Sequence, residues 1–363
     1  MPLDLAKLKE KAATVASPTE AEYPREVAGR VAHIDADFMA YQVSAETKAE
    51  LDPLDPTPRK TLEDMKHNAY AAVTHIRRMA AAERAVLHVT RAETKGGRTG
   101  IARLKPYQAN RADRTNKPEH LDTIRGFLGT GAGDKQGKLV GSIWTTQEAD
   151  DGMAQAHYAD PENTIICSAD KDLLMVPGWK LDMYTNEIRR EKDAFGWIDL
   201  DRSKSSAKVI GGGTKFFWAQ CLMGDTADNI SGVPEVPGRI WQQYSGTAAY
   251  RDAYGQWIAT DDPAIAAKLD EKMKKMTAKT KKCGPVLTYD LLKDARDDRE
   301  CYETVKCCYE LLVKDHGYQF TDYRDGSPIT PTQALLSEMQ LLWMRRNPDP
   351  QDVLHWLKET LKR

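Results

Sequence analysis

Long hydrophobic runs, paired cysteines and a net charge of either sign are all missing from this sequence. Its 363 residues contain no run of about 18 apolar residues, so a membrane-spanning segment is not expected. The N-terminal residues 1–14 carry acids and lack an apolar core, which argues against a secretory signal. We therefore expect a cytoplasmic protein without membrane contact.

The six cysteines form no CxxC pair, and no histidine spacing completes a zinc site. This pattern indicates reduced, partly buried thiols rather than a disulfide framework. Cys301, Cys307 and Cys308 are clustered, and we expect them on one helix that faces the core.

The formal net charge of −2 does not suggest a nucleic-acid binder, but the charges are segregated. Residues 91–138 contain eleven Lys and Arg against five Asp and Glu, and residues 268–282 contain seven Lys against two acids. A basic stretch is usually only a solvated face. Two of them flanking acidic groups indicate a surface for a polyanion.

Short apolar runs alternate with helical patterns in the first two hundred residues. The runs predict strands at 31–35, 85–90, 164–170 and 179–185, and the helical patterns follow the first strand and cover 62–83. This alternation predicts an α/β fold with a mostly parallel central sheet flanked by helices. A proline-rich loop is predicted at 51–58.

Three regions follow from these patterns: an N-terminal extension at 1–30, an α/β domain at 31–204 and a mostly helical region at 205–363. Within the second, residues 91–143 are predicted to be a functional lid or a mobile segment, because they are too long for an ordinary connection. Helical order resumes at 145–159, where Thr145 and Glu148 have the spacing of a capping box.

Four acidic groupings follow predicted buried elements. Because the carboxyl ends of parallel strands meet at one edge, we expect Asp35 and Asp170 to lie close together. Crowded carboxylates repel unless cations neutralise them, and oxygen ligands without His or Cys favour Mg²⁺ or Mn²⁺. Two such ions about 4 Å apart suit phosphodiester hydrolysis. The groupings are Asp35 with Asp37, Glu148 with Asp150 and Asp151, Asp170 with Asp172, and Asp225 with Asp228.

Each grouping also has a structural interpretation. Single acids at helix starts can be caps or first-turn residues, and Asp37 is assigned to a helix cap. Asp170 and Asp172 could form a surface ion-pair set around Lys171. That all four groupings are structural is less favoured, since an uncompensated acid after a buried element is costly.

Five motifs occur in one order over about residues 31–240: HIDAD, YQANR, EADD, SADKDLL and GDTADNISGVP. This series resembles the flap endonuclease/5′→3′ exonuclease superfamily, and most of all its stand-alone bacteriophage 5′-exonucleases. The resemblance implies a PIN-like nuclease domain at 31–204 with a helical arch at about 91–143. It also implies a helix–hairpin–helix-type DNA-binding region within 205–363.

The resemblance implies a two-metal-ion 5′→3′ exonuclease or flap-type endonuclease in DNA replication or repair, encoded by a phage and acting in the host cytoplasm. Expected partners are DNA with 5′ ends or flaps and RNA primers in RNA–DNA hybrids, bound by a monomer. Two or more Mg²⁺ or Mn²⁺ ions are expected. The implied ligands are Asp35, Glu148, Asp150 and Asp170 near one ion, Asp172, Asp225 and Asp228 near the second, and Asp151 in the same cluster.

The sequence departs from the family pattern at two positions of the predicted active site. Thr90 stands where the family has an Asp that ends the second strand. Gln108 replaces a Lys that contacts the scissile phosphate, a role that Lys105 could take if a helix places it on the same face, or Arg111 could share.

The hairpin motif also departs, since GVPEVPGRI has Glu235 and Pro237 in place of two glycines. Gly238 and Arg239 could form a shifted phosphate-binding version. Further on, Trp343 and Trp356 are expected either to pack in the core or to stack on bases.

Two other functions stay open on the sequence. A non-catalytic DNA-binding protein that keeps the nuclease fold would account for Thr90 and Gln108. A phosphatase-like hydrolase would use Asp35 as nucleophile and Asp37 as acid, but it leaves the basic segments and GDTADN unexplained.

Overall fold

The computed structural model describes residues 23–55, 57–91, 97–111 and 117–362. The chain divides into two compact units. Unit 1 comprises Met1–Gly96, Thr115–Asp170 and Gly178–Arg190, and unit 2 comprises Gly97–Arg114, Lys171–Pro177 and Glu191–Arg363. Most of the extension predicted at 1–30 lies outside the described residues.

The described residues form eight strands and fourteen α-helices. The strands are β1 Val27–Asp35, β2 Ala82–Thr90, β3 Leu139–Trp144, β4 Thr164–Ser168, β5 Gly178–Asp182, β6 Ile188–Glu191, β7 Trp197–Asp201 and β8 Lys208–Gly212. The helices are α1 Ala36–Ser44, α2 Lys48–Leu51, α3 Leu62–Met79, α4 Arg98–Ile101, α5 Leu121–Gly129, α6 Ala149–Ala159, α7 Gly213–Met223, α8 Gly238–Ser245, α9 Ala248–Ala259, α10 Pro263–Met276, α11 Pro285–Leu292, α12 Asp298–His316, α13 Pro331–Leu342 and α14 Asp352–Lys362.

Unit 1 is organised by a six-stranded sheet of order β3-β2-β1-β4-β5-β6. β1 pairs in parallel with both β2 and β4, and the pairs β2–β3 and β4–β5 are also parallel. The predicted α/β class with a mostly parallel sheet flanked by helices is therefore confirmed.

Helix α3 shows how the sequence builds the core of unit 1. Thr61 and Asp64 form a capping box at its start, and its buried positions Met65, Ala69 and Val73 recur every four residues. This apolar face joins buried residues of β1, β2 and α5 in one hydrophobic cluster. The sheet is thus held rigidly behind its carboxyl edge.

The expected lid over 91–143 is wrong for residues 121–143, which form α5 and most of β3. Strand β3 has a weak sequence signal because it lies at the sheet edge and alternates half-buried and exposed residues. Gly141 permits close packing there, since a Cβ atom would lie 1.9 Å from the carbonyl oxygen of Gly129. Residues 92–96 and 112–116 lie outside the described part.

Unit 2 is mostly helical, as predicted after residue 205, with the antiparallel pair β7–β8 as an exception. Helix α7 is buried from Gly213 to Leu222, so it is the central helix of this unit. Around it, Trp343 and Trp356 stack with their ring centroids 4.5 Å apart, and the Arg346 guanidinium lies 4.7 Å above the Trp343 ring. These tryptophans pack in the core.

All six cysteines are free thiols, as predicted. Cys301 and Cys308 are buried on α12 and Cys307 is half-buried, which confirms the expected core-facing helix. Among the described residues, no helix is long and apolar enough to span a membrane.

Candidate active site

The carboxyl edge of the unit 1 sheet brings Asp35 and Asp170 into one hydrogen-bonded group. Asp35 ends β1, and Ile34 pairs with Cys167, so Asp35 lies beside Ser168 at the end of β4. The Ser168 hydroxyl donates to Asp35 Oδ2 at 3.0 Å and accepts from the Asp170 backbone N–H at 2.9 Å. The predicted meeting of strand ends is therefore present.

Helix α6 contributes the next acids. It begins with Glu148 as the N-cap residue, and Asp150 and Asp151 lie in its first turn, where the helix dipole favours negative charge. The capping box predicted from Thr145 is wrong, because Glu148 occupies the cap position and no side-chain cap bond forms there. Asp151 is completely buried.

Thr90, at the position where the resembled family has an Asp, supports this helix start. Its hydroxyl oxygen accepts from the Ala149 backbone N–H at 2.8 Å, which satisfies one of the open donors of α6. Thr90 thus positions the acidic first turn and adds no carboxylate.

The assignment of Asp37 to a helix cap is wrong. Asp35 is the N-cap residue of α1, since its Oδ1 accepts from the Phe38 N–H at 2.9 Å. Asp37 instead accepts from the Thr90 backbone N–H at 2.9 Å and forms an ion pair of 2.9 Å with Arg125. A carboxylate held in this way is poorly suited to the acid role of a phosphatase-like mechanism.

The unit 1 carboxylates are electrostatically strained. Burial, with a smaller contribution from Asp37, raises the pKa of Asp35 from 3.8 to about 6. Burial raises the pKa of Asp150 well above its ordinary value, and the charges of Asp35, Asp170 and Glu148 raise it further. Negative charge at these positions is therefore costly until a cation neutralises it.

Unit 2 holds the other three predicted acids. Asp172 begins a short 3₁₀ helix, Asp172–Met175, and Asp225 and Asp228 lie in the loop after α7. Two backbone hydrogen bonds between Asp225 and Ile230 close this loop. Gly224 has φ +70° at its entry, where a Cβ atom would clash with the loop backbone.

Lys171 joins two of these acids. Its ammonium nitrogen lies 3.0 Å from Asp172 Oδ1 and 2.7 Å from Asp225 Oδ2. Burial lowers the pKa of Lys171, but the two carboxylates outweigh it and raise that pKa overall. Asp172 Oδ1 also accepts from the Gln220 amide. The ion pair around Lys171 considered from the sequence is present for Asp172, with Asp225 as a second partner.

The YQANR segment surrounds Asp228. Arg111 forms an ion pair with Asp228 Oδ1, the Tyr107 hydroxyl donates to Oδ2 at 3.1 Å, and the Gln108 amide donates to Oδ1 at 3.2 Å. Gln108, at the position of the family's Lys, thus binds a carboxylate. Lys105 is exposed, and no helix covers 105–108, so the helical placement that would align it with Gln108 is absent.

The hairpin region uses its polar groups internally. The Gly238 N–H faces His316 Nε2 at 3.4 Å, and Arg239 is paired with Asp315 at 3.1 Å and Asp270 at 3.4 Å. Gly238 and Arg239 are therefore engaged within the protein, which disfavours the shifted phosphate-binding version.

The donor chemistry was tested against a divalent cation. In the part of the chain that the structure describes, no group of three or more His, Cys, Asp or Glu side chains is arranged to hold a metal ion. The unit 1 donors are all carboxylate oxygens, and burial with mutual repulsion favours a hard cation among them. In unit 2, Lys171 and Arg111 already supply positive charge.

Sequence reasoning missed the positioning role of Ser168 and a buried polar chain in unit 1. In that chain, Trp144 donates to His88 Nδ1 and His88 Nε2 bonds His33 Nδ1, each at 2.9 Å. The alternating exposure of β1 and β2 could have indicated inward histidines, whereas the Ser168 contact depends on strand register.

A scan against protein-family models found no match, and a search of curated proteins found none either. Among solved structures, the chain is similar to a bacteriophage T5 flap endonuclease in a pseudo-enzyme–product complex with DNA and metal ions, at 12% identity and a TM-score of 0.40, covering 86% of this chain and 99% of that one. It is also similar to T5 5′-exonuclease with bound zinc ions, at 15% identity and a TM-score of 0.38, covering 77% and 98%. Both belong to the superfamily that the five sequence motifs resemble.

Proposed function

We propose that this chain is a metal-dependent 5′-nuclease that hydrolyses phosphodiester bonds at the 5′ ends of DNA, including flaps. The observation that carries the proposal is the mutual repulsion of Asp35, Asp150, Asp170 and Glu148 at the carboxyl edge of the unit 1 sheet. A protein gains nothing in stability from such a cluster. A divalent ion that neutralises it supplies the missing favourable interaction.

Asp35, Glu148, Asp150 and Asp170 would hold this Mg²⁺ or Mn²⁺ ion, with the buried Asp151 behind them. The bound ion would supply positive charge to the scissile phosphate and activate a water molecule. The chain itself prepares the ligands, because Ser168 fixes one oxygen of Asp35 and Thr90 fixes the first turn of α6.

Exposed cations would hold the DNA backbone. All seven lysines between residues 268 and 282 are exposed, as is Lys105, so they can contact phosphates without being desolvated. Such contacts give affinity that falls steeply with salt. Arg111, predicted to share the phosphate contact, would have to leave Asp228 to make it.

The finer parts of the proposal follow the sequence motifs. The substrate is DNA with a free 5′ end or flap, and RNA primers in hybrids are cleaved as well. The chain acts as a monomer in replication or repair of phage DNA in the host cytoplasm. The sequence assigns a second ion to Asp172, Asp225 and Asp228, where Lys171 and Arg111 now lie.

The site assignment is tested by Asp150→Asn with Asp160→Asn as its matched control. Both acids belong to α6, one in its first turn and one at its C-cap. With end-labelled duplex, flap and hybrid substrates in Mg²⁺ or Mn²⁺, we expect Asp150→Asn to lose at least a hundredfold in rate and Asp160→Asn to stay near wild type. Equal activity of the two variants would contradict the assignment.

A non-catalytic DNA-binding protein is the second candidate, favoured by Thr90 and Gln108, which have helix-capping and carboxylate-binding contacts. It predicts binding of branched DNA that weakens with salt, without cleavage in either ion. Cleavage by wild-type protein that disappears in Asp150→Asn excludes it.

A further inference from the structure

The two acidic groups of this chain differ in what already bonds them. In unit 1, Asp35 accepts from neutral donors, the Ser168 hydroxyl and the Phe38 N–H. In unit 2, the acids are bonded to cationic side chains of the chain itself. We propose that Lys171, with Arg111, takes the place of a second divalent ion, so that the chain binds divalent ions through its unit 1 carboxylates alone. This inference rests on the proposed nuclease function.

Lys171 lies where a bridging cation would be needed. Its ammonium nitrogen contacts one oxygen of Asp172 and one of Asp225, at 3.0 and 2.7 Å, and so links the 3₁₀ helix to the loop after α7. A divalent ion bridging the same two oxygens would stand about 2.0–2.6 Å from each. The ammonium group and such an ion cannot share this position.

The remaining oxygens are also occupied. Asp225 Oδ1 accepts from the Ala227 backbone N–H at 2.8 Å, so both oxygens of Asp225 have donors within the chain. Asp228 accepts from Arg111 and Gln108 on one oxygen and from the Tyr107 hydroxyl on the other. A metal ion would have to displace several hydrogen bonds and two cations to bind here.

The charges agree with this arrangement. Three carboxylates face two cationic side chains, Lys171 and Arg111, which leaves one net negative charge in the group. An entering divalent ion would make the net charge positive while Lys171 and Arg111 remain. A cation on the chain therefore keeps Asp172 and Asp225 together without metal, and removing it should create an ion site.

Mn²⁺ binding to metal-free protein tests the inference directly, with free Mn²⁺ followed by electron paramagnetic resonance and heats by calorimetry. We expect one ion per wild-type chain. Lys171→Met should gain a second ion, and Lys171→Met/Asp225→Asn should lose that gain. Lys192→Met, which removes an exposed lysine of the same unit, is the control for net charge and should bind one ion.

Two ions on wild-type protein, one of them lost in Asp225→Asn, would overturn the inference. So would a folded Lys171→Met protein that still binds one ion. Asp225→Asn also covers the case in which Lys171→Met does not fold, because it should leave the wild-type count at one. Asp35→Asn tests the proposed function separately, since an ion retained there contradicts the unit 1 assignment whatever Lys171 does.

Discussion

Replacing Asp35 with Asn should stabilise the metal-free protein at neutral pH. The amide keeps the shape of the carboxylate, so it can still accept from the Phe38 N–H and can donate to the Ser168 oxygen. What disappears is a buried negative charge whose pKa is raised to about 6 by burial and then by Asp37. A rise of about 2 units above the ordinary pKa corresponds to about 3 kcal/mol of lost stability at pH 8.

The pH dependence has a definite sign. A carboxyl whose pKa is raised on folding contributes no penalty below its ordinary pKa of 3.8, and the penalty grows as pH rises through about 6. With an unfolding entropy of about 2.1 cal/mol/K per residue, the stabilisation corresponds to a Tm rise of about 4 °C at pH 8. At pH 5 the rise should be about half as large.

Thermal melting of wild-type and Asp35→Asn protein in EDTA, followed by circular dichroism at pH 8 and pH 5, measures this effect. Added Mg²⁺ should raise the Tm of wild-type protein and leave that of Asp35→Asn much less changed, because binding to the folded state stabilises it. A lower Tm for Asp35→Asn at pH 8, or a difference that does not shrink at pH 5, would refute the electrostatic argument.

Three further predictions concern other parts of the molecule. Thr90→Val should lower the unfolding free energy by about 1 kcal/mol through loss of the bond to Ala149, while Thr90→Ser stays near wild type in melting experiments. In an Asp35→Asn background, stability should fall as pH drops from 6.5 towards 4, because burial, aided by His157, lowers the pKa of His33 to about 4; a flat denaturant midpoint would contradict this. Neutralising two lysines of 268–282 should make DNA affinity less dependent on salt, by about 0.9 in logarithmic slope per lost phosphate contact, and an unchanged slope would exclude that surface.

The sequence predicted the strands whose signal is local. β1, β2, β4 and β5 contain short buried runs, and the parallel arrangement then implied that Asp35 and Asp170 would share an edge. β3 escaped prediction because its packing depends on a glycine contact with α5. Its apolar residues are half exposed and lie in a basic, glycine-rich segment.

The candidate site was predictable in residue type but not in pairing. Whether Asp35 or Asp37 caps α1 depends on a two-residue difference in where the helix begins. Lys171 meets Asp225 across 54 positions of sequence, so only the folded loop after α7 reveals that contact. The same applies to Gln108, whose bond to Asp228 spans 120 positions.

The central claim is most directly tested by the polarity and metal dependence of cleavage. Wild-type protein is incubated with duplex DNA labelled at either the 5′ or the 3′ end, with Mg²⁺ or with EDTA. We predict that label is released from the 5′ end first, that release requires the ion, and that it is lost in Asp150→Asn. Release from the 3′ end first, or no cleavage in either Mg²⁺ or Mn²⁺ by protein that binds the DNA, would contradict a metal-dependent 5′-nuclease.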